Sequence, residues 1–180
     1  RVYERVLKEN PKEDHRFRIE HFELPTKQSV KKAAELGIAL GMQPLLIEIC
    51  EGMDLSGYAC FIGDRAGKCS PYRSILDAGI LVGGGTDFPV TPMRPLHGAR
   101  ICMTQPTASE RITLMECLEM NTCNAAKLGF LEDCKGMLRP GMNADFIVLD
   151  QNPFAVPVEA LSDIKVEQTY ARGKLVYARA

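Results

Sequence analysis

The apolar positions of this chain change period repeatedly, and the changes mark out its elements. Val2 to Glu9 carries apolar residues at helical spacing and predicts an amphipathic helix, closed by Asn10-Pro11. Arg16 to Glu20 alternates polar and apolar, as a short strand does. Thr26 to Leu36 returns to the helical period, with Thr26 as N-cap and Gly37 as stop. Ile38 to Met42 predicts a second strand, ended by Gln43-Pro44. Residues 45–69 hold no clear period, and their glycines and mixed polarity predict a long loop of the kind that often serves as a lid. Ser70-Pro71 predicts a helix start, with Ser70 as cap, and Gly79 a stop. Ile80-Leu81-Val82 predicts a third strand, short and wholly apolar as buried parallel strands are. Gly83-Gly84-Gly85-Thr86-Asp87 follows at once. Pro95 to Met103 reads as helical, and Thr113-Leu114-Met115-Glu116 as a capping box opening a helix towards Leu128.

After residue 130 the pattern changes. Asp145 to Leu149 and Lys165 to Ala171 read as strands, and Arg172-Gly173 as the turn that returns Lys174 to Tyr177 as a hairpin partner. Strands alternating with helices over short connections predict a parallel sheet, and a run of strands after them a separate β-rich segment. The predicted fold class is therefore α/β. Residues 1–130 are expected to form part of a TIM-like (β/α)8 barrel, with an appended β-rich domain over residues 131–180. A whole barrel takes about 250 residues, so 180 residues cannot hold one and the tail as well.

Composition narrows the class. Net charge is −1, from 22 basic and 23 acidic residues, which gives no electrostatic footprint for nucleic acid or an anionic membrane. No apolar run reaches the roughly 18 residues of a membrane span. The seven cysteines are scattered, odd in number and without a CxxC pair, which argues against a disulfide framework and a zinc ribbon. Their scatter also disfavours a thiol enzyme, and suits a reducing, cytoplasmic location. The first residue is Arg1, within a helical pattern, which predicts that the chain begins inside a longer protein.

Parallel α/β folds carry their chemistry at the C-terminal ends of strands. The first predicted strand ends in Glu20-His21, the second in Gln43, the third in Thr86-Asp87. One imidazole, one amide and one carboxylate should thus share one rim. A neutral imidazole and a carboxylate both suit zinc, and an aspartate beside a metal can also take a proton from attacking water. The plainer alternatives are a strand-end histidine that only hydrogen-bonds, and an aspartate that only caps a turn. His15 lies at the opposite end of the first strand and reads as surface. His97, near the start of the helix after the third strand, stands over the mouth. Its position admits a substrate contact, and more readily a helix-end histidine with no catalytic task. Gly63-Asp64-Arg65-Ala66-Gly67-Lys68 is no phosphate loop, because it lacks the Gly-Lys-[Ser/Thr] ending and no strand leads into it.

Several segments, taken in order, resemble the amidohydrolase superfamily, most closely amidohydrolase family 3, the branch that includes N-substituted formamide deformylase-like enzymes. Arg18-Ile19-Glu20-His21 is similar to the family's Arg-x-x-Glu-His at the end of its sixth barrel strand. Leu36-Gly37-Ile38 through Met42-Gln43-Pro44 is similar to its Gly…Gln-Pro strand. Tyr72 to Gly79, then Gly85-Thr86-Asp87-Phe88-Pro89-Val90, resembles the run into Gly-Ser-Asp-x-Pro, with Thr86 in place of the serine. Gly136 to Asp150 resembles the superfamily's Gly-x-[Ile/Leu]-x-x-Gly-x-x-Ala-Asp return into its β-sandwich, and Thr169 to Tyr177 its closing hairpin.

The resemblance implies a metal-dependent hydrolase acting on amide-like C–N bonds other than peptide bonds, with a small-molecule substrate. His21 and Asp87 would be metal ligands, and Asp87 also the catalytic proton shuttle. The cofactor would be a divalent metal, zinc by type, one or two ions in the parent protein. The family's His-x-His, its fourth-strand bridging ligand and its fifth-strand histidine are absent here, so the isolated chain is expected to be inactive and to bind metal weakly. Exposed sheet edges predict self-association, or burial of the edge by rearranged segments. The alternative is a non-catalytic scaffold or interaction protein on the same fold.

Overall fold

A computed structural model describes residues 1–180. Its N-terminal part alternates helix and strand: α1 (Val2–Glu9), β1 (Arg18–Glu20), α2 (Lys27–Glu35), β2 (Ala39–Met42), α3 (Ser56–Ile62), α4 (Tyr72–Asp77), β3 (Val82–Gly84), α5 (Pro95–Thr104), α6 (Leu114–Asn121) and α7 (Cys123–Leu128). The C-terminal part adds β4 (Phe146–Leu149), β5 (Val166–Ala171) and β6 (Lys174–Ala178).

Strands β1, β2 and β3 form a parallel sheet with β2 in the middle, as the alternation of elements predicts. The register pairs Glu20 with Gly41 and Gly41 with Gly83, so these residues share one face. Leu40, Met42 and Val82 point to the other face and are sealed in the core with Val30 and Ala33 of α2 and Tyr72 and Ile75 of α4. Each such aliphatic side chain contributes about 1.5–3 kcal/mol by leaving water. Strands β4, β5 and β6 form a second, antiparallel sheet. Arg172 (φ 50) and Gly173 (φ 74) turn β5 into β6, with both central residues in the left-handed region, which a two-residue hairpin favours. The two sheets are not paired, yet Leu161 and Ile164 from the segment between β4 and β5 enter the same core as Ala99 and Ile101 of α5.

Local signals hold where a side chain closes its own hydrogen bond. Thr26 caps α2 by accepting from the Ser29 amide, and Thr113 and Glu116 complete the capping box of α6.

Five expectations are corrected. Residues 45–69 are largely helical, with a π turn at Ile47–Glu51, then α3, then a 3-10 turn at Gly63–Lys68. Leu45, Leu46, Ile47 and Ala66 pack inward from short turns while Ile49 and Phe61 face out, a spacing too brief to read as a period. Ser70 does not cap α4. Its φ is 48 and its hydroxyl donates to Glu51, while Pro71 stands at the cap position. The third strand runs over Val82–Gly84, later than Ile80–Val82, because the glycines continue the ladder beside Gly41 and Met42. The helix after Thr113 breaks at Thr122 (φ −126, ψ −94) into α6 and α7. His15 is not a free surface residue either. It is half-buried against Phe17, and its ring nitrogens engage the Leu36 carbonyl and the Phe17 amide.

Candidate active site

His21 and Asp87 both follow the C-terminal ends of parallel strands, on either side of the end of β2. The His21 amide closes the last rung onto the Gly41 carbonyl at 2.8 Å, and the Gly85 amide bonds the Met42 carbonyl at 2.9 Å. Just past these rungs the backbone turns left-handed, with φ 69 at His21 and φ 56 at Asp87. Histidine and aspartate are among the few side chains that accept that region at modest cost. Both residues are exposed, and neither side chain is engaged by the protein. Beyond Asp87 the chain is pinned by the buried Thr91, whose hydroxyl donates to the Thr86 carbonyl. That pin leaves Phe88, Val90 and Met93 facing out.

Between the two strand ends lie Glu20 and Gln43. Arg18 Nε donates to Glu20 Oε1 at 2.5 Å, and Gln43 Nε2 points at Glu20 Oε2 at 3.4 Å. The Glu20 carboxylate lies against β2 at Gly41, where an added Cβ would push it aside.

His97 has a different setting. It sits on α5 and is mostly buried, with Nε2 2.6 Å from Glu48 Oε2 and Nδ1 2.9 Å from Ser162 Oγ. Arg100 Nη2 donates to the other Glu48 oxygen at 2.9 Å, and Arg94 reaches the Ser162 carbonyl. Burial pushes the Glu48 carboxyl up, but the bond from His97 and the charges of His97 and Arg100 outweigh it, and it titrates below the ordinary range. With both ring nitrogens taken, His97 ties the 47–51 turn to the C-terminal segment.

A second polar group was not foreseen. Glu51 is 2% exposed and accepts from the Ser70 hydroxyl. Burial pushes its carboxyl up to about 7, against the pull of Ser70 and with help from the charge of Glu23. Glu23, two residues past His21, accepts from Tyr58 Oη at 2.5 Å and binds the Ser70 amide through its carbonyl. Burial also raises the thiols of Cys50 and Cys69, the latter to about 11, so neither is a ready thiolate. A signal for this group existed: Glu51 stands four residues after Ile47, on the same face of a turn as a fully buried side chain.

No three His, Cys, Asp or Glu side chains converge so as to hold a metal ion. His21 and Asp87 are donors of the right type for zinc, but catalytic zinc normally takes three protein ligands. These 180 residues alone therefore do not fit a catalytic zinc. No helix is long and apolar enough to cross a membrane.

Comparison with known proteins agrees with this architecture. A family model described as amidohydrolase family matches residues 1–177. The chain is 26% identical over 194 residues to the putative amidohydrolase YtcJ of Bacillus subtilis, covering 99% of this chain and 36% of that protein. It is 33% identical to Protein LONG AFTER FAR-RED 3 of Arabidopsis thaliana, covering 98% and 31%. It is 28% identical to N-substituted formamide deformylase of Arthrobacter pascens, covering 99% and 34%. The chain thus spans about a third of the length of these relatives. Among solved structures, an amidohydrolase from Thermotoga maritima superimposes with a TM-score of 0.68 at 25% identity, over 97% of this chain and 39% of that one. A metal-dependent hydrolase from Pyrococcus furiosus gives 0.68 at 22% identity, over 84% and 31%, a likeness of fold. With a family match along nearly its whole length and the parallel strands that family resemblance predicts, the chain belongs to the amidohydrolase family.

Proposed function

We propose that the protein carrying this chain is a metal-dependent hydrolase of amide-like C–N bonds in small molecules, and that this chain contributes one side of its active site. The observation that carries the reading is the pair of exposed, unengaged donors, His21 and Asp87, past C-terminal strand ends that flank β2. In this reading the strands belong to a (β/α)8 barrel, the last 50 or so residues to a β-sandwich, and zinc is the cation. The further ligands come from residues outside the 180. The names of two relatives, an amidohydrolase and an N-substituted formamide deformylase, support the bond class.

The roles follow from side-chain chemistry. The His21 imidazole offers a nitrogen donor held by a strand end. The Asp87 carboxylate takes the proton of the attacking water and passes it to the leaving nitrogen. Phe88, Val90 and Met93, within six residues of that carboxylate, are exposed apolar side chains.

The test is metal analysis of the complete protein together with hydrolysis of N-acyl amines and N-substituted formamides. Bound divalent metal with turnover is expected. The isolated 180 residues, under the same conditions, are expected to hold metal weakly and to be inactive. A metal-free complete protein that hydrolyses none of these amides would refute the reading in favour of a scaffold.

A further inference from the structure

A groove of about 1010 Å³ runs between α2 and α4, and neither His21 nor Asp87 lines it. Its volume is at the upper end of the roughly 300–1,000 Å³ of small-molecule sites. Lys27, Val30, Lys31 and Ala34 form one wall, and their spacing sets them on one face of α2. Pro71, Ser74 and Ala78 form the other, along one face of α4 and its caps. The turn that carries Arg65 and Lys68 also borders the groove, and Thr107 Oγ1 holds it by donating to the Gly67 carbonyl at 3.2 Å. New strands can join the parallel sheet only beside β1 or β3, its two edges. Extending the sheet therefore does not fill the space between these two helices.

The walls are aliphatic and the rim is cationic. Val30 is buried, and Ala34, Pro71 and Ala78 are half-buried. No aromatic side chain lines the groove, so nothing there stacks a ring. Lys27, Lys31, Arg65 and Lys68 stand against two acids, Glu35 and Glu110, an excess of two positive charges on a chain of net charge −1. A cleft lined in excess by one sign of charge concentrates the opposite ion. Glu110 is already taken, since its two oxygens accept from the Ser74 amide at 2.8 Å and the Ser74 hydroxyl at 2.7 Å. Glu35 meets Lys31 at 3.8 Å, a loose pair. Arg65 uses its Nε, on the Ile62 carbonyl at 3.4 Å, and both terminal nitrogens of its guanidinium are left to fork a carboxylate.

We infer that this groove binds an aliphatic carboxylate, with the chain between α2 and α4 and the headgroup on Arg65 and Lys68. A single negative charge fits better than the nearly double charge of a phosphate monoester, because Glu35 and Glu110 also border the groove. The inference does not depend on the hydrolase reading.

The test is calorimetric titration of decanoate into the complete protein, beside acetate, decyltrimethylammonium and decyl phosphate, all below their micelle concentrations. Decanoate is expected to bind at sub-millimolar Kd. Acetate, which lacks the chain, and decyltrimethylammonium, which reverses the charge, should each bind at least about tenfold more weakly. Decyl phosphate should bind no more tightly than decanoate. Arg65→Gln should raise the decanoate Kd about tenfold, through loss of the charged fork. Lys68→Gln should raise it about two- to fivefold. Both side chains are exposed, so the fold tolerates either change. Binding unchanged in both variants would put decanoate elsewhere on the protein. Equal binding of decyltrimethylammonium would reduce the groove to an apolar contact, and tighter binding of decyl phosphate would make it a phosphate site. Each of these results, or no binding of decanoate at all, overturns the inference.

Discussion

The rim of the parallel sheet and the 47–70 excursion beside it both carry acids, and the fold treats them in opposite ways. At the rim, Asp87 is exposed, strained into the left-handed region and free of protein partners. In the excursion, Glu51 is sealed, hydrogen-bonded by Ser70 and neutralised up to about pH 7. The contrast separates two uses of a carboxyl group. One is left open at a strand end, where it can meet a ligand. The other is a packing element that folds best as the neutral acid, because removing a lone charge from water is far more costly than burying a protonated carboxyl. The same division runs through the histidines. His21 is open, whereas His97 is consumed by Glu48 and Ser162.

The contrast breaks most readily at Asp87. Asp87→Asn in the complete protein should lower kcat by about 10²–10⁴, the usual contribution of a positioned acid–base group, with Tm unchanged within error. Thermal melts and steady-state rates on the same samples check this. A large fall in Tm would make Asp87 a structural residue like Glu51, and an unchanged kcat would remove it from the chemistry.

The open region was legible in sequence and the sealed one was not, for a physical reason. His21 and Asp87 occupy ends of parallel strands, and a parallel sheet sends every strand's C-terminal end to one side, so reading the strands also places the residues. The capping box at Thr113 and Glu116 was readable because its partners lie three residues apart. Glu51 meets Ser70 across 19 residues and Glu23 across still more, through short turns that leave no periodic trace. The third strand was placed early because apolar character marked its start, while the ladder follows the glycines that can lie close to β2. His97 could be put over the mouth, but its partners Glu48 and Ser162 are 49 and 65 residues away.

Glu51 sharpens the comparison through pH. Its carboxyl titrates near 7 in the fold and near the ordinary 4.5 in the unfolded chain. Between those values the folded protein holds the extra proton, so stability is full below about 4.5, declines as pH rises, and levels off above about 7. The loss attributable to this group is roughly 3 kcal/mol across the window. Glu51→Gln, which mimics the neutral acid, should flatten that slope in urea melts taken from pH 4.5 to 8. A slope unchanged in the variant would mean that Glu51 is ionised in the fold, and the two acids would no longer differ in kind.

His97 gives the smallest effect and the finest distinction. If it serves as a tie between the 47–51 turn, α5 and the C-terminal segment, His97→Ala removes two hydrogen bonds and leaves Glu48 with Arg100 as its remaining cationic partner. A cost of about 1–3 kcal/mol is expected, at the lower end because the surviving Arg100 still pairs the carboxylate. Per folded molecule, kcat and KM should stay within about twofold of the wild type, since neither ring nitrogen is free to meet a ligand. A KM that rises several-fold while Tm holds would place His97 in the substrate site, on the same side of the division as His21. The two histidines would then differ in how firmly they are held before the ligand arrives, and not in what they are for.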